Sequence, residues 1–386
     1  MDRRHFLATT ALAASASLLP AVASTTTAAA PSPGMDMFKR VNFGTDGLGL
    51  NAREYATLLH EAVTARPFPA DFYSNGGVIE EIEKAFAECL GKQAAMFVPT
   101  GTLANHIAIR KLAGNDRRVL VQAESHLYND SGDCAEVLSG LNLIPLAAGG
   151  RMPMLDEVKQ WVERSAHGRV EMKVGAISIE SPIRRLDHQM VPFAELQRVS
   201  AYAREQGIRL HLDGARLFNL PQHSGRSVRD YAALFDTVYV SLWKHFNGST
   251  GAILAGDASF IEGLYHTRRM FGGSLPRAWP NVALVPRYLE HYAEDYARAW
   301  QSTERLIALL EADGRFRVRR IPDGTSRFFL GVAGVAPDVF SQRIASANVY
   351  LPQAIPDTGE FPIDVNATIL RMTPDALARI FIGAIG

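Results

Sequence analysis

Four short stretches place reactive side chains just past apolar runs. "TVYVSLW" (237–243) runs into Lys244, and "IRLHLD" (208–213) ends on Asp213. "RVLVQAE" (118–124) is followed by Ser125 and His126, and "AAMFV" (94–98) by "PTGTLANH". A lysine stripped of water loses basicity and becomes a nucleophile able to form an imine. More often a lysine at such a place is simply solvated, its stem lying along the strand end. Asp213 could hold a heteroaromatic ring nitrogen in its protonated form. Its plainer use is as a helix cap or as a partner for Arg216. His126 could stack on a planar ligand, although a lone histidine is usually a surface or satisfied core residue. Thr100, Gly101 and Thr102 open a helix, where backbone N–H groups suit a phosphate. Many strand–helix turns look like that without binding one.

Each feature alone is weak, and the set is stronger. A phosphate cradle, a stacking ring, a carboxylate for a ring nitrogen and an imine-forming lysine are together what pyridoxal 5′-phosphate requires. On this reading Lys244 carries the cofactor through its aldehyde. Asp213 keeps the pyridine ring cationic, so that the ring can accept electrons released at a substrate α-carbon.

These residues need a scaffold that gathers strand ends. The runs at 94–98, 118–124, 142–148, 174–180, 208–213, 237–243 and 251–256 are continuously apolar, as strands covered on both faces are. Helical patterns lie between them. Val78, Ile79, Ile82, Phe86, Cys89 and Leu90 share one helix face, and "PFAELQRVSAYAREQG" (192–207) starts with proline and stops at glycine. The alternation predicts an α/β fold with a mainly parallel seven-stranded sheet in a large domain. Ligands of such sheets sit beyond the carboxyl ends of the strands, where the four stretches end. A long helix is expected over 282–312. A smaller C-terminal α+β domain comes after it, with strand-like "FRVRRI", "SRFFLGVAG", "VYLPQA" and "ATILRM" and helices near 336–347 and 374–383. The division is 37–312 for the large domain with its N-terminal arm and 313–386 for the small one.

Composition excludes some classes. Lys+Arg and Asp+Glu each total 40, so there is no cationic excess of the kind a nucleic-acid partner requires. Cys89 and Cys134 are too few for a disulfide framework and lack metal-ligand spacing. "MDRRHFLATTALAASASLLPAVAS" combines charge, a short alanine-rich apolar run and a small-residue cleavage site. Arg3, Arg4, Phe6 and Leu7 resemble a twin-arginine export signal. An ordinary secretion signal with two arginines is the alternative. Residues 1–23 are thus expected to be removed, residues 24–36 to form a flexible leader, and the mature protein to be periplasmic or exported, with no membrane anchor.

"HLDGARLFN", "FVPTGTLANHIAI" and "SLWKHFNGSTGAILAG" resemble the threonine aldolase/β-eliminating lyase family, and the likeness runs from "VNFGTDG" (41–47) to "ILRMT" (369–373). The resemblance implies PLP fold type I and a lyase that cleaves the Cα–Cβ bond of L-β-hydroxy amino acids to glycine and an aldehyde. β-Elimination and transamination are the alternatives, together with a non-catalytic protein that keeps the fold. It implies Lys244 and His126 as catalytic residues and Gly101, Thr102, Asp213 and Arg277 as further cofactor contacts. Thr45, Arg216 and Arg371 would grip the substrate carboxylate. Arg277 would reach the site of a neighbouring subunit, so a homodimer or homotetramer with shared sites is expected. Three stretches depart from the family's pattern: "ESPIRRLDHQMVP" (180–192), with Arg184, Arg185 and His188; the "HFNGSTG" after the lysine; and Ser131 near the histidine.

Overall fold

All seven expected strands form a single sheet in the computed structural model, which describes residues 37–149 and 155–386. They are β1 (Ala94–Val98), β2 (Arg118–Gln122), β3 (Asn142–Leu146), β4 (Val174–Glu180), β5 (Arg209–Asp213), β6 (Thr237–Ser241) and β7 (Ala252–Gly256). Their spatial order is β1-β7-β6-β5-β4-β2-β3. The five strands β2 to β6 pair in parallel, and β7 runs antiparallel to both β6 and β1. Every residue of β4, β6 and β7 is buried, which explains why these runs show no alternation. The export signal and leader expected over 1–36 lie outside the described residues.

Two helices aim the strand ends. Helix α1 (Gly77–Leu90) buries Val78, Ile79, Ile82, Phe86 and Leu90, and stops at Gly91 in the left-handed conformation. Its buried Glu83 accepts a hydrogen bond from the Phe97 amide of β1 at 2.7 Å. After β1 the chain turns at once into α2 (Gly101–Ala113), where the Thr100 side chain caps the Leu103 amide. Helix α2 packs across β4 to β7, and its N-terminus sits by the carboxyl ends of the parallel strands, where the antiparallel β7 begins.

The long helix α3 (Val285–Asp313) belongs to two cores. Val285 packs into the core of the large sheet, while Tyr296, Leu306, Ile307 and Leu310 pack under the second sheet. Residues 38–386 accordingly form one compact unit, with α3 spanning the expected division at 312/313. The second sheet contains β8 (Phe316–Arg320), β9 (Arg327–Val332) and β10 (Phe361–Asp364) in the antiparallel order β10-β9-β8. Helices Pro337–Ala345 and Pro374–Gly383 cover it. One expectation fails here. "ATILRM" is a 3₁₀ turn over Ala367–Arg371, capped by the Asn366 side chain on the Thr368 amide. Its place is taken by β10, disguised by Pro362. An edge strand tolerates proline because one row of its amides lies outside the sheet's own ladder. The arm lies against this half: Val41–Asn42 pairs with Val349–Tyr350, and the Asp364 amide donates to Phe43 O at 2.8 Å.

Candidate active site

A cleft of about 220 Å³ opens at the carboxyl ends of the central strands. Gly101, Thr102, His126, Asp213, Arg216 and Lys244 all line it. Thr45, Arg277 and Arg371 do not. The Thr45 hydroxyl donates to Gly47 O at 2.9 Å. Arg371 Nη1 donates to Arg40 O at 2.5 Å. The exposed Arg277 lies over the Phe72 ring and donates to Asp71 O at 2.9 Å.

Lys244 comes shortly after β6, and the turn beyond it is fixed from the N-terminal arm. The Leu48 amide donates to Asn247 Oδ1 at 2.9 Å, and a Cβ on Gly47 would overlap Lys244 O. The Lys244 amine makes no ion pair among the described residues and lies over the Trp243 ring, 5.3 Å from its centroid. Burial lowers its pKa, and so does Arg216, while Asp46, Asp213 and Glu180 oppose the shift. The result is a larger share of free amine than an exposed lysine has.

Asp213 ends β5 and is buried. Its Oδ2 accepts from Asn105 Nδ2 at 2.6 Å and its Oδ1 from the Ala215 amide at 3.1 Å. Behind it runs a relay. Asn105 Oδ1 lies 2.9 Å from His211 Nε2, and His211 Nδ1 lies 2.8 Å from Thr237 Oγ1. Burial holds His211 down to about 4, so the ring is neutral. Because Asn105 Oδ1 can only accept, the ring proton sits on Nε2 and Thr237 donates to Nδ1.

The sequence reading missed Glu180, the last residue of β4. Its Oε2 accepts from the His126 amide at 2.6 Å and its Oε1 from the Arg184 amide at 2.9 Å. Burial and then the Asp213 charge raise its carboxyl to about 7. The strand-end rule that picked Asp213 applies equally to Glu180, which shares the register row Glu180↔Asp213. Tyr239 was missed as well, and it explains Gly101: any Cβ there would overlap the Tyr239 hydroxyl. The imidazole of His126 lines the cleft, with its pKa lowered chiefly by burial and Nδ1 3.4 Å from Ser131 Oγ.

Arg216 has a partner that the sequence reading did not assign. Its Nε and Nη2 grip Asp46 at 2.6 and 2.9 Å, and both residues are largely buried. Burial works against a charged Asp46, but Arg216 outweighs it and holds the carboxyl well below its ordinary range. Two of the five guanidinium N–H groups are used in this pair, which leaves three for a ligand. Arg184 and Arg185 both pair with Asp130, and His188 is buried against Ser326.

The sequence pattern described as beta-eliminating lyase matches residues 61–323, more than half of the chain. The chain belongs to the beta-eliminating lyase family. A low specificity L-threonine aldolase of Saccharomyces cerevisiae is 27% identical over 237 residues, 56% of this chain and 60% of that protein. An alanine racemase of Cochliobolus carbonum is 30% identical over 195 residues, 50% of this chain and 49% of that one. The chain thus aligns with roughly half to three fifths of the length of these curated relatives. Among solved structures, a Listeria monocytogenes EGD-E chain assigned provisionally as an L-allo-threonine aldolase is 29% identical. It superimposes with a TM-score of 0.72 over 89% of this chain and 95% of that one. The seven-stranded α/β architecture of this family member is therefore that of PLP fold type I.

Proposed function

We propose that this family member is a pyridoxal 5′-phosphate-dependent lyase that cleaves L-β-hydroxy amino acids to glycine and an aldehyde. The observation that carries the reading is the convergence on one cleft of a desolvated amine, Lys244, and a buried carboxylate, Asp213. The residues present fit the cofactor. The Gly101 and Thr102 amides lie in the first turn of α2, where no helix carbonyl reaches them, and suit its phosphate. Asp213 would pair with the ring nitrogen, His126 would lie on the ring face, and Lys244 would bond its aldehyde. When bound, the cofactor supplies an electron sink for the bond broken at the substrate α-carbon.

The chain does the rest. Arg216 can hold the substrate carboxylate with the N–H groups Asp46 leaves open, which orients the α-carbon. His126, neutral and lining the cleft, can take the proton of a β-hydroxyl. The Lys244 amine, made less basic by burial, is a second base at the same cleft. Arg371 and Thr45 enter this scheme only if the arm and the 3₁₀ turn move toward the cleft on binding. The test is to incubate the cofactor-loaded protein with L-threonine and L-phenylserine and to assay glycine and aldehyde. A loaded protein inert to both sinks the reading.

β-Elimination is the second reading, favoured by the family description itself. Pyruvate and ammonia from a β-substituted alanine would single it out. Export through the twin-arginine route and a homo-oligomer with Arg277 reaching a neighbour's site belong to the same proposal. Fractionation of the full-length chain tests the first. For the second, Arg277→Ala mixed with Lys244→Ala should regain part of the activity, as only a shared site allows.

A further inference from the structure

The turn after Lys244 has a second side. Lys244 lines the cleft, whereas the next residue, His245, lines a separate cavity of about 200 Å³ between α3 and the 3₁₀ turn. The two spaces share no lining residue, and the Arg216–Asp46 pair stands between them, with Arg216 in the cleft and Asp46 in the cavity. Tyr288, Tyr292, Tyr296 and Asp295 complete the aromatic, acidic part of the lining.

His245 is 2% exposed, and neither ring nitrogen has a hydrogen-bond partner among the described residues. Its ring stacks on Tyr292 at 4.7 Å, and Tyr292 stacks in turn on Tyr296 at 5.8 Å. The polar ends of those tyrosines are already used. Tyr292 donates to Asn219 Oδ1 at 2.6 Å, and the Tyr296 hydroxyl lies 3.1 Å from His223 Nε2. Among the described residues that line the cavity, the buried side-chain atoms left without a partner are those of His245. Buried nitrogens left unmade on both sides of a ring cost free energy, so native proteins give them a water or a ligand. A buried apolar cavity of about 150 Å³ holds benzene. This one is slightly larger, walled by aromatic rings, and carries one imidazole donor, one imidazole acceptor and two carboxylates.

We propose that this cavity is a second small-molecule site, for a single aromatic ring bearing an O–H or N–H group that bonds to His245. The ring would lie among the tyrosines, and the donor would meet the imidazole or Asp46. Through Asp46 the occupant touches the pair that holds Arg216, so the site is placed to tune the cleft. This inference does not depend on the reaction proposed above.

Phenol and benzylamine are the probes, titrated into the holoenzyme by calorimetry, with cyclohexanol as the non-aromatic control. One phenol or benzylamine per chain is expected, with cyclohexanol weaker. His245→Phe keeps the ring and removes both nitrogens, and should weaken the aromatic probes by about fivefold to tenfold, the loss of one neutral hydrogen bond. Ala367→Phe fills the cavity from the 3₁₀ turn and should abolish binding even if His245→Phe fails to fold. The probes should still bind, one per chain, in the presence of saturating L-threonine, with an affinity shifted through the Asp46–Arg216 pair. No binding, displacement by L-threonine, or binding indifferent to the substitutions would each overturn the proposal.

Discussion

Two buried aspartates, one at each sheet, are treated differently by the chain. Asp364, on β10, is gripped by Arg327 through Nε and Nη2, both at 2.8 Å. Burial still raises its carboxyl somewhat, against the pull of that arginine. Nearby, at the more exposed surface of the small sheet, Arg319 pairs with Glu360 and Arg320 with Glu304. Asp213, on β5, has only an amide side chain and one backbone N–H. Glu180 beside it has two backbone N–H groups, and Lys244 has no ion pair among the described residues. Buried charge without a countercharge is expensive. Where a chain leaves several such groups facing one cleft, the missing partner is a ligand.

The largest break in this contrast comes from removing the amine. Lys244→Ala should abolish turnover, while its urea midpoint stays at or above that of the parent, because a desolvated cation is lost. The two aspartates then give opposite results. Asp213→Asn should cut kcat by about a thousandfold, the scale of a lost transition-state interaction, with little change in stability. Asp364→Asn should leave kcat within about twofold and cost about 2 kcal/mol of unfolding free energy, since the half-buried Arg327 loses its two-pronged partner and keeps only Asp187 at 3.5 Å. If Asp364→Asn proved as damaging to kcat as Asp213→Asn, the two regions would not differ in kind. Next in size, Arg216→Lys keeps the charge but loses the two-pronged grip, and should raise KM by about tenfold with a smaller effect on kcat.

The contrast also marks how far the sequence was legible. Strands covered on both faces are largely unbroken apolar runs, so the seven strands were readable. The acid, imidazole, amine and helix start at their ends were readable too, because each sits within a few residues of its run. The partners of those groups were not. Asp46 and Arg216 lie 170 residues apart, and Asn105 and Asp213 lie 108 apart. No periodicity links such pairs, because folding alone brings them together. β10 was lost for another reason: Pro362 reads as a breaker unless the strand is known to be an edge.

The finest test of the contrast is a pH profile, because two groups beside Asp213 titrate in opposite senses. Glu180 is raised from 4.5 to about 7 in the folded chain. The folded state therefore holds its proton more tightly, and the stability this brings is complete below pH 4.5 and lost as pH rises toward 7. His211 is lowered from 6.5 to about 4. Its neutral ring favours the folded state above pH 6.5, and that contribution is lost as pH falls toward 4. Glu180→Gln should thus flatten the fall in urea midpoint between pH 5 and 7, while His211→Gln should flatten the fall between pH 6 and 4. The Asp213 charge helps to raise Glu180, and at His211 it opposes the downward push of burial. Asp213→Asn should therefore move both limbs to lower pH. If Asp213→Asn left both limbs in place, these groups would not share a field, and the cleft would be no more open in charge than the small sheet.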